Sequence, residues 1–274
     1  MAERDANTWW GSYTLTGDRV TRWRIGPLSL WAQRLEGEWR LAWRSSGDPL
    51  QDGLELAEQA AVDDILALDN AARYAVRGDD GQLQLSAALA DRTVVTRAEQ
   101  PVNLLPGEDL YVYVSTPLWV RVAVGQPARQ LVEIPVLRLS DTWFGDTTME
   151  GELGYSARTR IRLDLENVPA RPHRATTAVR VKNRAADVLT LERLKIPVVH
   201  LALCQAEDGR LWTHQVVYER TETSAFATLH MPDRAEQQCI HGRTRGNLLA
   251  PPRLEADANL VMRAFSSLLR LRES

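Results

Sequence analysis

Lysine is almost missing from this chain: of 33 lysines and arginines, only Lys182 and Lys195 are lysine. An arginine excess of that kind reflects a GC-rich genome before it reflects a function. Cysteine is nearly as scarce. Cys204 and Cys239 admit one disulfide but no disulfide framework. Long apolar runs are missing too. The strongest, Ile196 to Cys204, contains His200 and falls far short of the roughly 20 residues a spanning helix needs. The opening MAERDANTWWGS carries charges where a signal peptide needs an apolar stretch, and no Asn-x-Ser/Thr acceptor occurs. These absences predict a cytoplasmic protein without membrane insertion. A net charge of −3 leaves no global field to recruit nucleic acid.

The common catalytic signatures are also absent. There is no G-x-x-x-x-G-K-[ST] to cradle phosphates and no G-x-G-x-x-G. Neither H-E-x-x-H nor a G-x-S-x-G elbow occurs, and paired C-x-x-C motifs for zinc are missing. The sequence therefore assigns no metal and no cofactor.

What is present is ordinary globular material, with 44% hydrophobic and 25% charged residues over 274 positions. Period-two alternation dominates it, the mark of strands with one face in a core. Trp39, Leu41 and Trp43 alternate with Arg40, Ala42 and Arg44. Leu118, Val120, Val122 and Val124 repeat the pattern, as do Ile161, Leu163 and Leu165, then Val179 and Val181. Asp80-Gly81 and Asp208-Gly209 predict hairpin turns, and Gly17-Asp18 and Glu36-Gly37 divide residues 8–44 into a four-stranded meander. The predicted core includes Trp23, Trp39, Trp43, Val120, Val122, Ile161, Leu163, Val199 and Leu201.

These features predict a mostly β, antiparallel protein of two packed sandwich-like or barrel-like modules. A break at Gly125-Gln126-Pro127 divides a tryptophan-rich module (1–127) from a second β module (128–255). Residues 256–274 place Leu260, Ala264, Phe265, Leu268 and Leu271 at helical spacings, which predicts a closing C-terminal helix.

The densest polar constellation is Asp141, Asp146, Glu150 and Glu152, four carboxylates in twelve residues, interleaved with Trp143 and glycines. Such a segment can gather oxygen ligands around a cation, or hold two carboxyl groups in different environments for acid–base work. The plainer alternative is a solvated strand connection with a buried Trp143. His230, Cys239 and His241 form at most part of a metal site, because no fourth ligand is evident. The basic stretch Arg158–Lys195 holds ten basic and four acidic residues but no aromatic, which argues against a grip on single-stranded nucleic acid. Six of the nine tryptophans fall in the first 43 residues. Strand parity places Trp23, Trp39 and Trp43 in the core, and the adjacent Trp9 and Trp10 on opposite faces.

The segments RYAVRG, ADRTVVTR, NLLPGEDLYVYVSTPLWVRV and, above all, LRLSDTWFGDTTMEGELGY resemble an uncharacterised prokaryotic family of domains of unknown function. The similarity runs from Trp10 to about Tyr218, and TWFGD followed by EGELGY is its most specific part. The resemblance carries over no catalytic residue. It implies a cytosolic partner or regulator of a membrane channel of the small-conductance mechanosensitive type.

The expectation is a non-enzymatic binding or regulatory protein acting through its β surfaces, with Asp141, Trp143, Asp146, Glu150 and Glu152 as the candidate site. One alternative is a hydrolase or cation-dependent enzyme built on those carboxylates. Another is a carbohydrate-binding module using exposed N-terminal aromatics.

Overall fold

The computed structural model describes residues 8–17, 19–58, 64–78, 80–145, 149, 151–222, 226–230, 239–240, 244–255 and 259–266. Strands account for most of them. In chain order they are β1 (Gly11–Thr14), β2 (Val20–Ile25), β3 (Leu28–Leu35), β4 (Glu38–Ser45), β5 (Leu54–Glu58), β6 (Asn70–Ala75), β7 (Gln82–Ala88) and β8 (Val94–Leu104). There follow β9 (Asp109–Pro117), β10 (Trp119–Val124), β11 (Arg129–Pro135), β12 (Ser140–Gly145), β13 (Gly151–Ile161), β14 (Arg174–Asn183), β15 (Leu189–Ile196) and β16 (Leu203–Gln205). The last are β17 (Leu211–Thr213), β18 (Val216–Arg220), β19 (Phe226–His230), β20 (Cys239–Ile240), β21 (Thr244–Arg245), β22 (Asn247–Ala250), β23 (Asn259–Arg263) and β24 (Phe265–Ser266). Helix is confined to short 3₁₀ turns among the described residues.

The chain forms two compact units. The first comprises residues 1–88, 117–138 and 171–173. It holds a five-stranded sheet, β5-β2-β3-β4-β6, and a four-stranded sheet, β1-β7-β10-β11. Alternation puts Trp23, Ile25, Leu30, Trp39 and Leu41 on one face of the larger sheet, all buried. The facing residues of the smaller sheet are Tyr13, Leu83, Leu85, Val120 and Val122, also buried. The Tyr13 and Trp23 rings meet edge to face at 5.1 Å, which ties the two sheets across this core. The opposite face of the larger sheet carries a small cluster of Val20, Trp31, Ala42 and Ile65. One glycine is forced: Gly26 has φ +55°, and a Cβ there would lie 2.5 Å from the buried His173 ring.

The second unit comprises residues 89–116, 139–170 and 174–274. Its five-stranded sheet runs β12-β13-β8-β15-β24, and a larger sheet runs β22-β16-β17-β14-β18-β19-β23, with β9 also paired to β14. Both sheets are mixed, since β13 pairs β8 in parallel and β14 pairs β17 and β18 in parallel. The buried Tyr218 of β18 donates its hydroxyl to the carbonyl of Lys195 on β15 at 2.8 Å. Its ring meets Phe265 edge to face at 5.9 Å.

The mostly β expectation is met, but several local assignments change. Each unit is assembled from three separate segments, so neither coincides with residues 1–127 or 128–255. Within 256–274, residues 259–263 and 265–266 are strand instead of helix. Pairing with β19 and β15 supplies backbone partners that the local helical spacing cannot register. The meander has three strands, β2-β3-β4, because β1 pairs with β7 in the other sheet. Asp208-Gly209 does join a hairpin, β16-β17. Asp80-Gly81 instead carries the chain from one sheet to another. Of the predicted core, Trp43 is half-buried and Leu163 is exposed, since β13 ends at Ile161 and the alternation stops with it.

Candidate functional site

Residues 142–145 of TWFGD and 151–155 of EGELGY lie on the antiparallel β12–β13 hairpin at one end of the five-stranded sheet. The register pairs Asp141 with Tyr155, Thr142 with Gly154, Trp143 with Leu153, Phe144 with Glu152 and Gly145 with Gly151. The glycines have a packing reason. A Cβ on Gly151 would come within 2.7 Å of the Trp143 indole and the Phe144 carbonyl, so the indole lies on bare backbone. A Cβ on Gly154 would press on Thr93 at 3.0 Å.

Directly paired residues share a face, and neighbours along a strand alternate. Asp141, Trp143, Leu153 and Tyr155 therefore leave one face, while Thr142, Phe144, Glu152 and Gly154 leave the other. Asp141 and Glu152 do not converge. Asp146 and Glu150 lie outside the described residues. Among the described residues no group of three or more His, Cys, Asp or Glu is placed to hold a metal ion.

On the first face, Trp143 is 42% exposed and Leu153 50% exposed. A polar fringe surrounds them. Arg92 pairs with Asp141 at 3.3 Å and sits 5.4 Å over the Tyr155 ring, and the Tyr155 hydroxyl donates to Asp91 at 2.9 Å. Partial burial and the bond to Asp91 push the Tyr155 phenol up to about 12. Met149, between the two strands in sequence, is exposed.

The second face is anchored by buried cations from β15. Lys195 is 2% exposed, and its ammonium lies 2.8 Å from Glu152 Oε1, the same oxygen that accepts from the Thr93 hydroxyl at 3.0 Å. Burial lowers the Lys195 pKa, and Glu152 opposes that shift. The buried Arg193 donates to the Trp143 carbonyl at 3.0 Å. Both cations approach the ring of Phe144, at 5.3 Å for Arg193 and 6.0 Å for Lys195. Two cations from a strand not adjacent to the hairpin thus hold its underside and fix the pose of Trp143 above.

His230 faces Glu219 at 3.8 Å, His241 lies outside the described residues, and Cys204 is a buried free cysteine whose thiol burial pushes up. Trp9, Trp23, Trp31 and Trp39 are buried, with Trp10 and Trp43 half-buried. The residues that sequence reasoning missed are Arg92, Thr93, Tyr155 and Arg193. Lys195 stood out only as a rarity, an ammonium at the end of a strand in an arginine-rich chain.

Among the described residues no helix is long and apolar enough to cross a membrane. No curated protein and no solved structure matches the chain. The family model described as "Protein of unknown function (DUF432)" matches residues 9–270, nearly the whole length, and the chain therefore belongs to that family.

Proposed function

We propose that this protein is a non-enzymatic binding protein that docks a protein partner on the Trp143 face of the β12–β13 hairpin. The observation that carries this reading is the cross-strand pair of Trp143 and Leu153, held half-exposed on the last two strands of a sheet. Covering such side chains gains about 25 cal/mol per Å² of apolar surface removed from water. The pair sits beside Tyr155 and Arg92, and Trp, Tyr and Arg are the residue types that dominate interface hot spots. The partner segment presents an apolar side chain to the pair, with polar groups meeting the fringe of Asp91, Arg92 and Asp141. A cytosolic segment of a small-conductance mechanosensitive channel is the first partner to test, because the sequence resemblance points there.

The two alternatives have less support. Asp141 and Glu152 leave opposite faces and each is engaged with a cation, so these two carboxylates share neither a proton nor a ligand ion. Four of the six N-terminal tryptophans are buried, which removes most of a sugar-stacking platform.

Affinity capture from a native membrane extract tests the proposal. The wild-type chain is expected to retain a partner that a Trp143→Ala/Leu153→Ser variant loses while remaining folded. An identical partner set on both baits, or substrate turnover in a broad hydrolase screen, overturns it.

A further inference from the structure

The opposite face of the same sheet carries a different feature. Arg97 of β8 has Arg160 of β13 as its register partner on one side and Arg193 of β15 on the other. Three arginines therefore stand in a row across three adjacent strands, projecting to one face. The alignment is produced by irregularities on both flanks. The register of β13 shifts between Ser156 and Arg160, and that of β15 shifts between Leu191 and Arg193. Such bulges re-aim side chains and frequently mark functional sites.

Like charges directly opposite one another destabilise a sheet, so the row needs compensation. Two of its members have it. Arg160 ion-pairs with Glu99, its diagonal neighbour on β8, and Arg193 donates to the Trp143 carbonyl. The central Arg97 is exposed and makes no hydrogen bond or ion pair among the described residues. The repulsion is felt within the row: the Arg193 pKa is lowered by burial and, second, by Arg97.

A guanidinium offers a planar fork of donors that matches a tetrahedral oxyanion in bidentate fashion. We propose that the Arg160–Arg97–Arg193 ladder is a binding site for a phosphate or phosphomonoester group, gripped by Arg97 and held in the field of its two neighbours. The ligand is a single small anion. A single-stranded polynucleotide would call for aromatic stacking partners, and the basic stretch 158–195 contains none. The ladder points away from the docking face and meets it only through the Arg193 bond to the Trp143 carbonyl.

The experiment uses the full chain. Inorganic phosphate is titrated against sodium chloride of matched ionic strength, reading melting temperature and heat of binding. Phosphate is expected to raise the melting temperature beyond chloride. Arg97→Gln is expected to weaken phosphate binding about tenfold or more, with Arg97→Lys intermediate because it keeps the charge and loses the fork. Without phosphate, Arg97→Gln is expected to melt at or above the wild-type temperature, since it relieves the repulsion, so loss of binding is not loss of fold. Phosphatidylcholine vesicles with and without phosphatidic acid separate the two sources of the group. Arg97-dependent sedimentation with the acidic vesicles assigns a lipid headgroup, and phosphate stabilisation without sedimentation assigns a soluble ligand. Equal effects of phosphate and chloride on the wild type, or an undiminished phosphate effect in Arg97→Gln, overturn the proposal.

Discussion

Lys195 and Glu152 form an ion pair at 2.8 Å in which the ammonium is buried and the carboxylate reaches solvent. That asymmetry sets what each substitution does. Glu152→Gln leaves a buried ammonium without its counter-charge, which costs about 3–5 kcal/mol in a fully buried pair. Solvent screening of the half-exposed Glu152 reduces this to about 1–3 kcal/mol. Adding Lys195→Met removes the stranded charge and recovers much of the loss, because the two sites are coupled. Urea denaturation of the two single variants and the double variant measures the coupling.

Gly151 tests the hairpin's packing. An alanine Cβ there meets the Trp143 indole and the Phe144 carbonyl at 2.7 Å, and the carbonyl belongs to the paired strand. Gly151→Ala is expected to destabilise by about 1–3 kcal/mol and to shift tryptophan emission as the indole is displaced. In a Trp143→Ala background the same change is expected to cost less. Equal costs in both backgrounds would show that Trp143 does not rest on Gly151.

Core position should separate two alternation predictions that look alike in sequence. Trp39→Ala, at a fully buried site, is expected to cost about 3–5 kcal/mol. Leu163→Ala, at an exposed site beyond the end of β13, is expected to stay within about 0.5 kcal/mol. Thermal or urea melts of the two variants give the comparison directly.

Acid stability has an identifiable contributor. Glu38 bridges Arg73 and Arg40, and hydrogen bonds from both arginines pull its carboxyl down to about 2. A carboxylate with a depressed folded pKa adds stability that is fully present above its unfolded value of 4.5 and is lost as pH falls towards 2. Glu38→Gln is therefore expected to flatten the stability profile between those two values and to leave the slope above pH 5 unchanged, an interval set by the same linkage. A series of urea melts across that range reads the slopes.

The strands were legible because alternation is local, and Trp39, Leu41, Ile161 and Val179 announce it within a few residues. What each strand pairs with was not. Asp80-Gly81 is a good turn wherever its flanking strands go, and here they go to different sheets. The C-terminal segment shows the same limit, since Leu260, Ala264 and Phe265 fit a helix locally while β19 and β15 offer it backbone partners from far away in sequence. The segment marked in sequence by carboxylates, glycines and a tryptophan falls on the β12–β13 hairpin. Its faces depended on register. Phe144 pairs with Glu152, so even-numbered positions share a face with even ones and odd with odd, which separates Asp141 from Glu152. The cations of the second face come from β15, about forty residues later, and no spacing within the hairpin encodes them.

The docking claim is tested most directly by placing a photo-crosslinking amino acid at Leu153, on the Trp143 face, and a second one at Asp208, in the β16–β17 turn of a different sheet. Irradiation in a native extract is expected to yield one discrete protein adduct from position 153 and none from position 208, with the first abolished by Trp143→Ala. Adducts of equal yield at both positions, or an adduct at position 153 that survives Trp143→Ala, would contradict the account.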